Sequence, residues 1–293
     1  MLVCGYHGWQ DWFAGPQRGF LSSGVPERDP ALVISFPERD PEALARLLRE
    51  HEGDVAAVML EPAAPVLRLD APIHDADAAY LQEVARQARS KGALLVFDEV
   101  MSGFRYKSGS VQAATGVIPD LTCLGKALSG GMPLSALVGR ADLIRATLHR
   151  IAYSPTFKGE VYSLAAAAEA LRVYQGGEVP GHVERVGRAM AELVDAAFAR
   201  AGLAARAVGV PFRMAVAFEA QDPERRILLR TLLVQELARR GVLTWKAFAI
   251  PSLAHGEPEL RALSRAFEES AAVMADALER DAFLEHLVLP DDV

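Results

Sequence analysis

Leu94-Leu95-Val96-Phe97-Asp98-Glu99-Val100 opens a stretch that continues through Leu121-Thr122-Cys123-Leu124-Gly125-Lys126 and closes at Gly130-Gly131-Met132-Pro133. It holds two continuous apolar runs. Neither alternates as a half-exposed strand would, so both read as strands buried on two faces. The first run delivers a carboxylate, Asp98, and the second an amine, Lys126. In open α/β sheets, ligands sit beyond the carboxyl ends of the strands. An acid and a lysine at two such ends, with a glycine pair just after the lysine, mark a candidate site.

Working outward, residues 55–60 form another continuous apolar run, ending in Glu61-Pro62. Residues 77–91 repeat apolar side chains at helical spacing (Tyr80, Leu81, Val84, Ala85, Ala88), and Gly92 closes them. Strand, helix and strand in that order make a βαβ unit, and the sheet it belongs to is expected to be parallel. Residues 121–124 and 134–138 extend the pattern. Upstream, residues 2–4 read as a strand, Gly5 to Trp9 as a glycine-bounded loop, and 11–20 as an aromatic-rich loop. A short strand over 31–36 follows. Asp40 and Pro41 start a helix as N-cap and first-turn proline, running to about residue 51. Downstream come a helix over 140–148, a loop over 151–159, and an alanine-rich helix over 160–174. That last helix has little periodic polarity and is expected to be buried. After Gly176-Gly177 the character changes to a long amphipathic helix, two strands separated by Pro211, and two further helices starting at Asp222-Pro223 and Glu257-Pro258. The expected fold is α/β: a mostly parallel sheet flanked by helices over residues 1–176, then a smaller C-terminal α+β domain over 177–293.

The chain has 293 residues, 51% of them hydrophobic, enough for a sizeable core in one large or two ordinary domains. Its formal net charge is −7, and basic and acidic residues are mixed, so no nucleic-acid partner is expected. Cys4 and Cys123 lie inside apolar segments and read as small core residues in a reducing compartment. No apolar run reaches the roughly 18 residues needed to span a bilayer, and the N-terminus lacks the order of a signal peptide. A soluble cytoplasmic protein with no membrane partner is expected. The chain also opens as a strand already under way, which points to an upstream part.

Lys126, set among Leu124, Ala127 and Leu128, is expected to be partly desolvated, which would lower its pKa and suit it to forming a Schiff base. Its ordinary reading is a lysine at a helix start with its amine in water. Asp98 is too deep in its strand to stand unpaired. Its partner is a helix N-terminus, an arginine such as Arg105, or a protonated ring nitrogen. Pyridoxal phosphate needs both groups, an amine for its aldehyde and an acid for its pyridine nitrogen.

Leu95-Val96-Phe97-Asp98-Glu99-Val100 with Gly103-Phe104-Arg105, then Pro119-Asp120-Leu121, then Gly125-Lys126 and Gly130-Gly131-Met132-Pro133 resemble the class III pyridoxal-phosphate aminotransferases of fold type I. The resemblance runs from about residue 5 to about residue 255. Tyr6-His7-Gly8-Trp9 and Thr156-Phe157, with Gly159-Glu160, are similar to motifs of the glutamate-1-semialdehyde aminomutase group. The resemblance implies pyridoxal 5'-phosphate as cofactor. Lys126 would form the internal aldimine and shuttle the proton between Cα and the cofactor. Asp98 would pair with the pyridine nitrogen, Val100 would pack on one ring face, and Tyr6 would stack on the other with His7 beside it. Thr156 would reach the cofactor phosphate of the neighbouring subunit in a homodimer. Glu61 matches an acid of the family's site and is assigned, with Trp9, to the substrate, although Ala63-Ala64-Pro65-Val66 departs from the family pattern. The implied activity is amino-group transfer between a small-molecule amino donor and a carbonyl acceptor. The implied alternatives are a 2,1-aminomutase isomerisation, or a truncated non-catalytic subunit that pairs with a complete partner. The family places a Ser/Thr-Gly-x-Glu-Ala phosphate turn well before the Tyr-His-Gly loop. Only five residues precede Tyr6 here, so weak cofactor retention by this chain alone is expected.

Taken singly, these residues also have ordinary readings. Tyr6 suits a core aromatic, His7 a hydrogen-bonded loop histidine, and Thr156 a helix N-cap. Glu99 and Arg105 suit structural ion pairs, and Trp9, Trp12 and Phe13 suit core positions.

Overall fold

The computed structural model describes residues 1–17, 22–25, 32–63, 73–148, 150–152, 156–244, 247, 249–280 and 282–288. The chain divides into two compact units, Met1–Pro180 and Gly181–Val293. The first is built on six strands: β1 (Leu2–Cys4), β2 (Ile34–Ser35), β3 (Ala57–Leu60), β4 (Leu94–Asp98), β5 (Leu121–Leu124) and β6 (Ala136–Gly139). Their order across the sheet is β2-β1-β3-β4-β5-β6. Neighbouring strands run parallel except the last pair, where β6 is antiparallel to β5. A parallel return needs a crossover of about a dozen residues or more, usually through a helix. Residues 125–135 hold only a one-turn 3-10 helix, Lys126–Ser129, so the chain doubles back instead. The architecture is α/β, a mostly parallel sheet flanked by helices.

The helices follow the expected signals at most positions. α1 (Asp11–Ala14) departs from the loop expected over 11–20, of which 18–20 lie outside the described residues. Phe13 explains it. Its ring is buried with Val3, Met59 and Val96, and one helical turn delivers it there. α2 (Pro41–Glu50) starts where Asp40 accepts the Ala43 N–H at 2.8 Å, and it buries Leu44 and Leu48. Each buried leucine contributes about 2 kcal/mol. α3 (Ala78–Ser90) is capped by Asp77, packs on β4, and contacts α2. α4 (Val111–Thr115) and α5 (Ala141–Thr147) are short.

α6 (Val161–Gln175) corrects an expectation. Of its residues only Ser163 and Ala167 are buried, while Val161, Tyr162, Leu164, Leu171 and Val173 are exposed. A helix apolar all round needs cover on every side. In this unit α6 packs on the 126–129 turn, and that turn covers one side of it.

The second unit holds most of α7 (Glu178–Arg200), a hairpin of β7 (Ala205–Val210) and β8 (Arg213–Phe218), then α8 (Pro223–Arg239) and α9 (Glu257–Glu279). Phe198 meets Phe218 and Phe267 edge-on at its centre. Pro211 lies in the two-residue turn between the strands, where it forfeits no ladder hydrogen bond. Among the described residues no helix is long and apolar enough to cross a membrane.

Candidate active site

The site is built at the carboxyl ends of β1, β3, β4 and β5. Asp98 closes β4 and is in register with Cys123 of β5, so Gly125 and Lys126 follow one turn beyond that level. The Asp98 side chain is buried, and its two oxygens are held separately. Oδ1 accepts the Val100 N–H at 3.1 Å, and Oδ2 lies 2.8 Å from Nδ1 of His7. His7 is buried as well. The partner of Asp98 is therefore His7, neither a helix N-terminus nor Arg105, whose guanidinium donates to the Met101 carbonyl. A carboxylate only accepts, so a hydrogen bond between an ionised Asp98 and His7 takes its proton from Nδ1. Nε2 of His7 is buried, with no hydrogen-bond partner among the described residues. The imidazole also meets Phe13 edge-on. Two of the roughly four acceptor positions of the Asp98 carboxylate are used, which leaves capacity for a further N–H donor.

Lys126 is an exposed residue, where partial burial was expected. What distinguishes it is the backbone: φ is 43°, in the left-handed region that costs a non-glycine residue on the order of 1 kcal/mol. The surrounding turn holds it there. Ala127, Leu128 and Ser129 are buried, the Leu128 N–H donates to the Gly125 carbonyl, and the Ser129 hydroxyl donates to the Met132 carbonyl. Val100 lies against this turn, its Cγ1 3.4 Å from the point where a Cβ on Gly125 would stand. Lys126, Asp98 and Val100 thus lie around two adjacent strand ends.

Glu61 follows β3 and is buried. Its Oε2 accepts the Tyr6 N–H at 2.8 Å, and its own N–H donates to the Cys4 carbonyl. Gly5 makes this possible. Its φ is +116°, and a Cβ there would stand 2.9 Å from Glu61 Oε2. Glu61 fixes the Tyr6-His7 loop from behind. Burial pushes the Cys4 thiol up to about 12, with Glu38 and Glu61 adding to the effect. The Glu38 carboxyl is pushed up to about 7 by burial, opposed by Arg39 and reinforced by Glu61.

Tyr6 is 40% exposed with its ring edge-on to Phe13, and Trp9 is 76% exposed. Among the described loop aromatics Tyr6, Trp9, Trp12 and Phe13, only Phe13 is deeply buried. Thr156 lies in an exposed turn before α6, and the cap of α6 is Glu160, which accepts the Tyr162 and Ser163 N–H groups. Residues 153–155 and 64–66, where the loop before Thr156 and the sequence after Glu61 fall, lie outside the described residues.

Several partnerships were not legible in the sequence. Glu99 alternates to the opposite side of the strand end from Asp98 and is almost fully buried. It accepts from the Ser102 hydroxyl, the Val111 N–H and the Gln112 amide, so it organises the 99–112 loop through neutral donors. Asp120 accepts the Leu95 N–H at 2.9 Å and pairs with Arg140 at 2.9 Å, tying β4, β5 and β6 together. An acid following directly on a buried strand end is the one sequence signal that marks Glu99.

The donor set suits pyridoxal phosphate. A buried carboxylate with spare acceptor capacity matches a pyridine N–H, a lysine amine matches an aldehyde, and Val100 and Tyr6 offer apolar surface for a flat ring.

Comparison with known proteins gives a consistent family. The model of the aminotransferase class-III family matches residues 21–247. A glutamate-1-semialdehyde 2,1-aminomutase of Roseiflexus castenholzii is 38% identical over 197 residues, covering 64% of this chain and 44% of its own length. One from Ignicoccus hospitalis is 31% identical over 276 residues, covering 87% of this chain and 62% of its own. The chain thus spans roughly half of the curated relatives it matches. Among solved structures, the FumI protein of Sphingopyxis sp. MTA144, in its pyridoxal-phosphate internal aldimine form, superposes with a TM-score of 0.83 at 24% identity. That match covers 95% of this chain and 66% of that one, a likeness of fold.

Proposed function

The chain belongs to the class III aminotransferase family, whose members are pyridoxal-phosphate-dependent enzymes, and from that premise we propose that it carries the catalytic residues of an amino-group transferase acting on a small amine donor and a carbonyl acceptor. The observation that carries the reading is Asp98 and Lys126 at the ends of two adjacent strands, with Val100 against the lysine turn. Pyridoxal 5'-phosphate, when bound, supplies the aldehyde and an electron-accepting ring. Asp98 would accept the ring N–H, with His7 holding the carboxylate through its second oxygen, and Val100 and Tyr6 would offer apolar surface to the ring. Lys126 Nζ takes and returns the proton at the substrate's α carbon. Thr156 serves the phosphate site of a second copy, in a homodimer. Exposed Trp9 and buried Glu61 are assigned to the substrate, and Glu61 also holds the Tyr6 loop. The free thiols Cys4 and Cys123 suit a reducing cytoplasm.

A 2,1-aminomutase is the second reading, favoured by the curated relatives, which carry that name. The two differ in whether the amino group leaves the enzyme on a separate product. Reduction with borohydride in the presence of pyridoxal phosphate is expected to label Lys126, and Lys126→Ala to abolish the label. With an amine donor supplied, product that forms only when a keto acid is present identifies the transferase, and isomerisation without one identifies the mutase. A chain labelled at Lys126 but inert until a complete homologue is added is a non-catalytic subunit. Absence of label at Lys126 would sink the proposal.

A further inference from the structure

We infer that Tyr174 is a positioning residue for Lys126, holding the lysine turn from helix α6; this rests on the reading of Lys126 above. The Tyr174 hydroxyl donates to the carbonyl of Ala127, the residue next to Lys126, at 2.7 Å. Its ring stacks on Phe104, with centroids 4.7 Å apart and planes 18° from parallel. Phe104 itself has φ 64°, held by its N–H donating to the Gly109 carbonyl. One side chain thus joins Phe104, in the left-handed region, to Ala127, the residue directly after Lys126, and Lys126 is also in that region. Such a position is costly for a residue with a Cβ and persists only where its surroundings over-determine it.

The bridge is directional. A 3-10 turn has poorer hydrogen-bond geometry than an α-helix and seldom persists alone. The Ala127 carbonyl also accepts the Gly130 N–H at 3.3 Å, a long bond, so the shorter bond from Tyr174 is the stronger of the two at that oxygen. Burial raises the Tyr174 phenol, opposed by Arg105, which keeps the hydroxyl protonated as a donor. Tyr174 is the penultimate residue of α6, whose start is capped by Glu160, and the helix packs on the lysine turn. Losing the hydroxyl frees the Ala127 carbonyl and relaxes the φ of Lys126, and the amine is then presented at the site for less of the time.

The test is Tyr174→Phe, which keeps the stack and removes the hydroxyl. The full chain is incubated with saturating pyridoxal phosphate across a range of pH, reduced with borohydride, and mapped lysine by lysine. Trapping at Lys126 is expected to fall about three- to ten-fold, the equivalent of one ordinary hydrogen bond. The pH profile of Lys126 trapping should also move. Lys91 and Lys107 should be labelled as before, and the melting midpoint should fall by no more than a few degrees, as the loss of one hydrogen bond dictates. A general loss of structure would instead change all lysines together and lower the midpoint much further, which would overturn the inference. Equal trapping at Lys126 in both proteins would also overturn it and leave the proposed function standing. If the unaltered chain shows no trapping at Lys126, both fall.

Discussion

Glu38 shows how far burial shifts chemistry at a single residue of this molecule. Its carboxyl is pushed up to about 7, chiefly by burial, with Arg39 opposing and Glu61 reinforcing. A raised carboxyl pKa means that the folded chain binds this proton more tightly than the unfolded chain does. The associated stability is fully present below the ordinary carboxyl value and is lost as pH rises through about 7. The residue is partly accessible, so the discounted contribution is on the order of 1–2 kcal/mol. Glu38→Gln should flatten the fall in urea midpoint between about pH 5 and pH 7 and leave the acid limb intact. An unchanged slope would mean that Glu38 titrates normally. At the same scale, Asp98 was legible from its strand as a buried acid in need of a partner. That the partner is His7 was not, because the two are brought together by β1 and β4 with β3 lying between them. Lys126 was legible by position, while its exposure was not, since apolar neighbours in sequence do not decide how much of a turn residue is covered.

Strand and helix boundaries were the part best written into the chain. Asp40-Pro41, Asp77 and Asp222-Pro223 start helices where their side chains accept the free N–H groups. Parallelism in β1 to β5 followed from continuous apolar runs, whereas the reversal at β6 depended on how short the connection is. α7 supplies a test. Gly187 lies inside this helix, where alanine ordinarily gains about 1 kcal/mol. Here an added Cβ would stand 2.1 Å from the Pro211 carbonyl oxygen at the hairpin turn, so the helix must move away. Gly187→Ala is therefore expected to destabilise by roughly 2–3 kcal/mol, the cost of overpacking, with the sign opposite to propensity. A raised melting midpoint in calorimetry would show that the hairpin turn yields freely.

For the whole molecule the open question is what covers α6. Its exposed residues include Val161 at 72% and Tyr162 at 79%, and it follows directly on the turn that carries Thr156. Burying such a helix against a second copy joins two readings, the homodimer and the role of Thr156 in the other subunit's site. Sedimentation equilibrium is expected to give twice the chain mass of 31.6 kDa. Val161→Glu combined with Tyr162→Glu should restore the single-chain mass, because desolvating unpaired charges opposes association. A monomer at micromolar concentration before any substitution would remove that role for Thr156. The sequence by itself determined the fold class, most element starts, and the acid and lysine at two strand ends. Those properties depend on local periodicity, capping and the order of apolar runs. Only the tertiary structure decided that His7 holds Asp98, that Glu61 braces Tyr6, that Tyr174 reaches the lysine turn, and that α6 stands uncovered. Each of those joins residues far apart in the chain, and contacts of that kind are set by the packing of whole elements, which no local pattern encodes.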